Sequence, residues 1–250
     1  AYRNVTLVKE IEISTVMNNI KGTYFLSSLS KENKVEHFVL VSTDKAVRPS
    51  NYMGKSKLIT EIIVNKVFNH TITNLSIVRF GNVLNSSGSV LQIFEKQVKI
   101  GGPLTVTGKD VTRFFMSIPE AAQLIIQSSA IESNNNTFIL DMGDSYNIYD
   151  LAKKIIKING FSFKENEEGN GISIKITGLQ PGEKIHEELA LNSANLKPTI
   201  HPKINSTKEI QIDFDISEWF NSLIELYIKN DLQEYKKLID DLIKLHQEKN

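Results

Sequence analysis

Residues 37–57 read "HFVLVSTDKAVRPSNYMGKSK". From Phe38 to Val41 the apolar run is continuous, not alternating, which is the pattern of a short strand buried in a parallel sheet. The run stops at Ser42-Thr43-Asp44-Lys45. A helical segment then begins near Tyr52 and places Met53 four residues before Lys57, so the two share a face. Sheets of this class gather ligands outside the carboxyl ends of their strands. A strand ending in Thr43, Asp44 and Lys45 therefore sets a hydroxyl, a carboxylate and an amine where chemistry is done.

The rest of the chain repeats the alternation. Ile13, Val16, Met17, Ile20 and Phe25 space a helix over 12–30. A helix is expected at about 52–69, a strand in "LSIVRFGNV" (75–83), then a Gly/Ser loop, a helix near 89–99 and a short strand in "PLTVT" (103–107). Next come a helix over 118–131, a strand in "TFILDMG" (137–143), a helix over 148–158, a strand in "ISIKITG" (172–178) and a short helix from Glu183. The tail from about 213 is all-helical, with apolar residues at helical spacing that pack on the domain or on a second subunit. Strands alternating with helices give an α/β fold with a largely parallel sheet. No G-x-G-x-x-G occurs, the turn that lets a backbone approach a dinucleotide pyrophosphate.

Composition narrows the function. The 250 residues carry 29 Lys+Arg against 29 Asp+Glu with no basic block, so nothing in the charge pattern marks a nucleic-acid surface. With no cysteine there is no disulfide framework, thiolate metal site or thiol nucleophile. His37, His70, His186, His201 and His246 lack ligand spacing, and no metal is expected. The least charged long stretch, "FFMSIPEAAQLIIQSSAI" (114–131), is an amphipathic helix too polar for a membrane span.

Each local motif has two readings. Asp44 and Lys45 form an acid–base pair if burial and proximity move their proton affinities, or a loop ion pair contributing about 0–1 kcal/mol. "NSSGS" (85–89) cradles a phosphate at a helix start or simply caps the helix. "PGEK" (181–184) carries a ligand contact or is a plain turn.

Five stretches in order change the balance: "VSTDKAVRPSNYMGKSK", "VRFGNVLNSSGSV", "VTRFFMSIPEAAQLI", "FILDMGDSYNIYDLA" and "TGLQPGEKIHEEL". Together they resemble the polysaccharide biosynthesis (CapD-like) family of extended short-chain dehydrogenases, the UDP-N-acetylglucosamine 4,6-dehydratases, from residue 1 to about 205. The resemblance implies a Rossmann-like extended short-chain dehydrogenase with a partial parallel sheet lacking its first strands, a small C-terminal substrate lobe and a helical tail. Residues 1–100 would be the C-terminal part of the NAD-binding domain, 101–212 mainly the substrate-binding lobe and 213–250 the tail. "AYRNV" is similar to the segment after that domain's fourth strand, so the NAD fingerprint is expected elsewhere.

In this family NAD takes a hydride from C4 of the sugar, water leaves from C6, and the hydride returns to C6. By resemblance Asp44 protonates the departing C6 hydroxyl, Lys45 is the base at C5, Thr43 orients the C4 hydroxyl and Lys57 holds the nicotinamide ribose. Ala1, Arg3, Asn19, Ser42, Lys57 and Val83 fall at cofactor positions, with Asn19 supporting Lys57. Asn82, Ser87, Ser89, Arg113, Gln180 and Glu183 fall at sugar-nucleotide positions. Met53 stands where the superfamily has a catalytic tyrosine, as in the family's large-dehydratase branch. A thioether exchanges no protons at neutral pH, so the C4 hydroxyl proton leaves through Thr43, Asp44 or a water, or through Tyr52 next door.

One departure concerns the nucleotide. The family motif R-P-G-E-K reads Gln180-Pro181-Gly182-Glu183-Lys184 here. Glutamine cannot supply the bidentate charged grip of arginine, so nucleotide affinity is expected to fall unless Arg113 or Lys184 compensates. The cofactor implied is NAD, with NADP as the alternative, and the partners are a UDP-sugar and either a second copy or the missing N-terminal half. The compartment implied is the cytoplasm, although larger family members carry an N-terminal membrane region. Rival readings are a nucleotide-sugar 4-epimerase and a truncated chain that is non-catalytic alone.

Overall fold

The computed structural model describes residues 12–86, 88–131, 136–165, 170–191, 195–208 and 210–249. The chain opens with α1 (Glu12–Glu32), β1 (His37–Val41), a single 3-10 turn (Asp44–Ala46), α2 (Tyr52–Val67) and β2 (Asn74–Arg79). It continues through β3 (Asn82–Val83), α3 (Val90–Lys99), β4 (Leu104–Val106), β5 (Thr112–Arg113), β6 (Phe115–Met116), α4 (Ile118–Ala130) and β7 (Asn136–Leu140). Then come β8 (Tyr146–Asn147), α5 (Ile148–Ile158), β9 (Phe163–Lys164), β10 (Ile172–Ile176), β11 (Lys197–Pro198), β12 (Ile204–Thr207), α6 (Ile216–Ile228) and α7 (Leu232–Lys249).

The largest sheet has the order β1-β2-β7-β12-β11. β1, β2 and β7 run parallel, with Phe38 opposite Leu75 and Val78 opposite Phe138. Parallel neighbours need long crossovers, which is why helices intervene. β2 lies between β1 and β7, and Leu75 through Arg79 are all buried, the polar Ser76 and the charged Arg79 included. β12 turns back antiparallel on β7 and pairs with β11, an edge that the sequence reading does not contain.

Packing divides the chain into two compact units, Ala1–Phe80 with Leu124–Asp141 and Glu188–Asn250, and Gly81–Gln123 with Met142–Glu187. The first has a core joining Val16 and Ile20 of α1, Ile59 and Ile63 of α2, Leu75 of β2, and Phe220, Leu223, Ile239 and Leu242 of the tail. The tail thus covers helices of its own unit. The second unit packs Phe94, Leu104, Val106, Ala152, Ile156 and Ile172 around the parallel sheet β4-β10-β9. Its helix α5 starts where the Asn147 side chain accepts the Asp150 N–H at 3.0 Å.

Two expected elements differ. The single strand over 75–83 is two: β2 ends at Arg79, and Asn82 and Leu84 donate to Phe114 O and Met116 O to join β6 instead. No helix begins at Glu183. Gly182 takes a left-handed φ of 77°, Glu183 N closes a turn on Gln180 O at 2.9 Å, and Ile185 O accepts from Thr112 N at 3.0 Å. That carbonyl is bound to β5 and is not part of a helical ladder.

α2 approaches the 3-10 turn at Gly54. A Cβ on Gly54 would run into the Lys45 carbonyl oxygen and lie 3.1 Å from Pro49 Cβ. Helix propensity alone favours alanine by roughly 0.5–1 kcal/mol, whereas overpacking costs about 1–3 kcal/mol. We predict that Gly54→Ala lowers the urea midpoint, with a net loss on the order of 1 kcal/mol. An unchanged or raised midpoint would mean that this approach is slack.

Candidate functional site: the loop after the first strand

The backbone beyond β1 stays tied to β2. Ser42 N donates to Val78 O at 2.8 Å and Asp44 N to Phe80 O at 3.1 Å. Thr43 is extended and caps the 3-10 turn, its Oγ1 accepting from Lys45 N at 3.4 Å. The turn then closes through Ala46 N on Thr43 O and Val47 N on Asp44 O, at 3.2 and 3.0 Å.

These constraints bring the three side chains together. Thr43 Oγ1 donates to Asp44 Oδ1 at 2.7 Å, and Lys45 Nζ approaches the same oxygen at 2.9 Å. The Asp44 side chain has no exposed surface, whereas Lys45 keeps 20% of its side chain open. Among the described residues, Asp44 Oδ2 has no hydrogen-bond partner. The buried carboxyl thus meets a hydroxyl and the lysine amino group on one oxygen, with the other uncommitted, and three groups able to exchange protons lie in contact.

α2 adds two of the expected residues. Met53 is buried. Lys57 Nζ donates to Val41 O at 2.9 Å, two residues before Thr43. Asn19 donates to Ser56 Oγ at 3.0 Å, and Ser56 Oγ donates to Met53 O at 2.7 Å, so the asparagine braces the turn of helix that carries Met53. Tyr52 lies with the tail, its ring under Lys55 Nζ at 4.5 Å and Lys236 Nζ at 5.0 Å. Lys55 in turn meets Asp240 at 2.6 Å.

Ser42 faces inward. Its Oγ donates to Glu61 Oε1, and the same carboxylate holds Arg79 through Nε at 3.0 Å and Nη2 at 2.5 Å. Glu61 and Arg79 have no place in the sequence reading. Their signal was an acid inside "LITEIIV" and an arginine ending "LSIVR", charged residues on faces that otherwise read as core.

The second unit holds its own polar cluster. Arg113 donates through Nη1 to Thr112 O at 2.7 Å and Ile185 O at 3.0 Å, and through Nη2 to Glu183 Oε1 at 2.7 Å. Thr107 Oγ1 also donates to Glu183 Oε1 at 2.9 Å, and Gln180 N to Oε2 at 3.1 Å. Asn82 donates to Phe114 O at 3.2 Å, and Val83 follows it in β3. Ser89 caps α3 without a side-chain capping bond, and its Oγ has no partner among the described residues. Arg113, Gln180 and Glu183 are therefore assembled. Ala1, Arg3 and Ser87 lie outside the described residues. Among the described residues no cluster of His, Asp or Glu is set to hold a metal ion, and no helix is long and apolar enough to cross a membrane.

The model of a family described as "Polysaccharide biosynthesis protein" matches residues 1–209. The chain belongs to this family. It is 40% identical to the capsular polysaccharide biosynthesis protein CapD of Staphylococcus aureus over 92% of its own length and 37% of that relative's. A UDP-glucose 4-epimerase of Rickettsia rickettsii is 32% identical over 76% of the chain and 53% of the epimerase. The chain thus spans little more than a third of CapD. Among solved structures, Pen from Bacillus thuringiensis matches with a TM-score of 0.73 at 29% identity, over 86% of this chain and 65% of its own. DesIV, a dTDP-glucose 4,6-dehydratase from Streptomyces venezuelae solved with NAD, has a TM-score of 0.66 at 16% identity, over 76% of this chain and 62% of its own. The fold is that of the extended short-chain dehydrogenases, with the loop after β1 at the carboxyl end of a parallel strand.

Burial holds the Lys57 ammonium below the ordinary lysine range, while the Glu61 carboxylate pulls it back up. The unfolded chain then binds this proton more readily than the folded one, so Lys57's contribution to stability rises with pH from its folded pKa up to about 10.5. In urea titrations at about pH 7 and about pH 10, we expect the stability difference between wild type and Lys57→Met to move towards wild type at the higher pH. A constant difference would contradict the lowered proton affinity.

Proposed function

We propose that this chain carries the proton-transfer site of an NAD-dependent 4,6-dehydratase acting on a UDP-N-acetylhexosamine, UDP-N-acetylglucosamine by resemblance, in surface-polysaccharide synthesis. The observation that carries the reading is the Thr43–Asp44–Lys45 cluster, with one Asp44 oxygen committed and the other uncommitted. The residues fit the cofactor at one place, since the Lys57 ammonium at the strand end is a suitable donor to a ribose hydroxyl. Val83 is, by resemblance, the proposed contact on the nicotinamide face. When bound, NAD supplies reversible hydride acceptance.

The chain's own groups account for the protons. Lys45, as the amine, takes the C5 proton that a 4-ketone acidifies. Asp44, as the acid, gives its proton to the C6 hydroxyl as the C6–O bond breaks and the C5–C6 double bond forms, so that water leaves. Once C6 has been reduced, the Lys45 ammonium returns a proton to C5. The proton that Asp44 gives up is the one released by the C4 hydroxyl when the ketone forms, so Asp44 enters as the carboxylate and is charged before the C6–O bond breaks. Thr43 Oγ1, on Asp44 Oδ1 at 2.7 Å, is a path for that proton, which makes a phenol at position 53 unnecessary. Tyr52, engaged with Lys55 and Lys236, is not needed.

In the second unit Asn82, Ser89, Arg113, Gln180 and Glu183 are the proposed sugar-nucleotide contacts. The Glu183 carboxylate is the proposed ribose acceptor. Ser89 Oγ, uncommitted, is a proposed diphosphate donor.

The test is mass spectrometry of UDP-N-acetylglucosamine incubated with NAD and the chain, alone and supplied with the amino-terminal part of a family member. We predict loss of one water, a decrease of about 100-fold or more in Asp44→Asn, and a rate within about twofold of wild type in Tyr52→Phe. A product of unchanged mass and inverted C4, as the 32% identity to an epimerase allows, would replace the dehydratase reading. A Tyr52→Phe variant that loses most of its rate would overturn the Thr43 path.

A further inference from the structure

We infer that Glu61 and Arg79 are positioning residues for the proton-transfer loop, acting through the Ser42 hydroxyl. What the loop does rests on the function proposed above, and how it is held rests on geometry alone. Ser42, Glu61 and Arg79 are 4%, 2% and 0% exposed. Arg79 reaches both oxygens of Glu61, at 3.0 and 2.5 Å, and this two-point grip fixes the plane of the carboxylate. The Ser42 hydroxyl donates to Oε1 of that fixed group. One carboxylate therefore joins helix α2, strand β2 and the loop after β1.

A unit that needed only to bury this surface would do as well with apolar side chains, because desolvating two charges roughly cancels their attraction. What the ion pair adds is direction. The Ser42 main chain is tied to Val78 O at 2.8 Å and its side chain to Glu61, so the residue is fixed at both ends. Thr43 is extended, with φ −152° and ψ 156°, and side chains alternate along an extended chain. Turning Ser42 inward turns Thr43 outward, onto Asp44. The same carboxylate lies one helical turn after Lys57 and is the charge that acts on it. Two of the proposed functional groups are thus referred to a single buried anion.

The test uses amide hydrogen exchange on the chain itself, which needs no turnover. Ser42→Ala removes the hydroxyl and leaves the ion pair. We expect the Asp44, Ala46 and Val47 amides to exchange about tenfold faster, with amides of β2 and α1 and the melting temperature as in wild type. Ser42→Thr keeps the hydroxyl and should restore protection. Glu61→Gln strands a buried guanidinium and can prevent folding, so the paired variant Glu61→Met/Arg79→Met is the second probe. It should fold and speed the same three amides.

Where turnover is measurable, Ser42→Ala should lower kcat about tenfold with KM within twofold, and Ser42→Thr should recover it. A folded Ser42→Ala with wild-type loop exchange and kcat would overturn the inference. So would acceleration spread evenly over the first unit, since the network would then be core alone. If no mixture dehydrates the sugar nucleotide but the three amides respond, the positioning role stands and the proposed reaction falls.

Discussion

A carboxylate and a guanidinium cannot leave water singly without a large penalty, and Glu61 and Arg79 leave it together. Removing one partner of such a buried pair typically costs about 3–5 kcal/mol, because the other charge is left without compensation. That constraint couples elements far apart in sequence, since Glu61 sits in the third turn of α2 and Arg79 at the end of β2. With α2 fixed to β2, Gly54 can meet the 3-10 turn and Lys57 can reach the Val41 carbonyl. The proposed chemistry lies in the loop that these contacts surround. The tail adds to the same assembly from outside, through Leu223, Ile239 and Leu242 in the core and Lys55 on Asp240.

Much of this was legible in the sequence because its causes are local. A continuous apolar run gave β1, the alternation of strands with helices gave β2, and helical spacing gave α1 and α2. Three neighbouring polar residues at a strand end marked the loop. What was not legible depends on distant partners. Nothing in "LSIVRFGNV" tells that Phe80 O is committed to Asp44 while Asn82 and Leu84 pair with the segment around β6. Glu183 follows Pro-Gly and precedes a helix-like run, yet its carboxylate serves Thr107 and Arg113 and its segment stays non-helical. A linear partition at residues 100 and 212 follows the chain, whereas packing returns residues 124–141 and 188–212 to the first unit. The antiparallel edge of β12 and β11 needs partners that no short window contains.

The second unit bears on the glutamine at position 180. Arg113 is already shared among two carbonyls and Glu183, and in that state it holds residues 180–187 against β5. A sugar diphosphate that drew on this guanidinium would compete with contacts that shape the loop. Gln180 engages Glu183 through its backbone N–H, a bond that arginine or glutamine makes equally well. The difference between them is therefore confined to the side chain. The replacement keeps that backbone bond and loses the charge.

The central claim is that Lys45 carries the C5 proton and returns it during dehydration. The most direct measurement is the product formed in deuterium oxide. With 20% of its side chain exposed, the Lys45 ammonium exchanges with solvent before it reprotonates C5. The account predicts a product lighter by one water and carrying one solvent deuterium at C5. A product that has lost water but carries no deuterium would contradict Lys45 as an exchanging base. An isomer of unchanged formula with no deuterium would contradict dehydration itself.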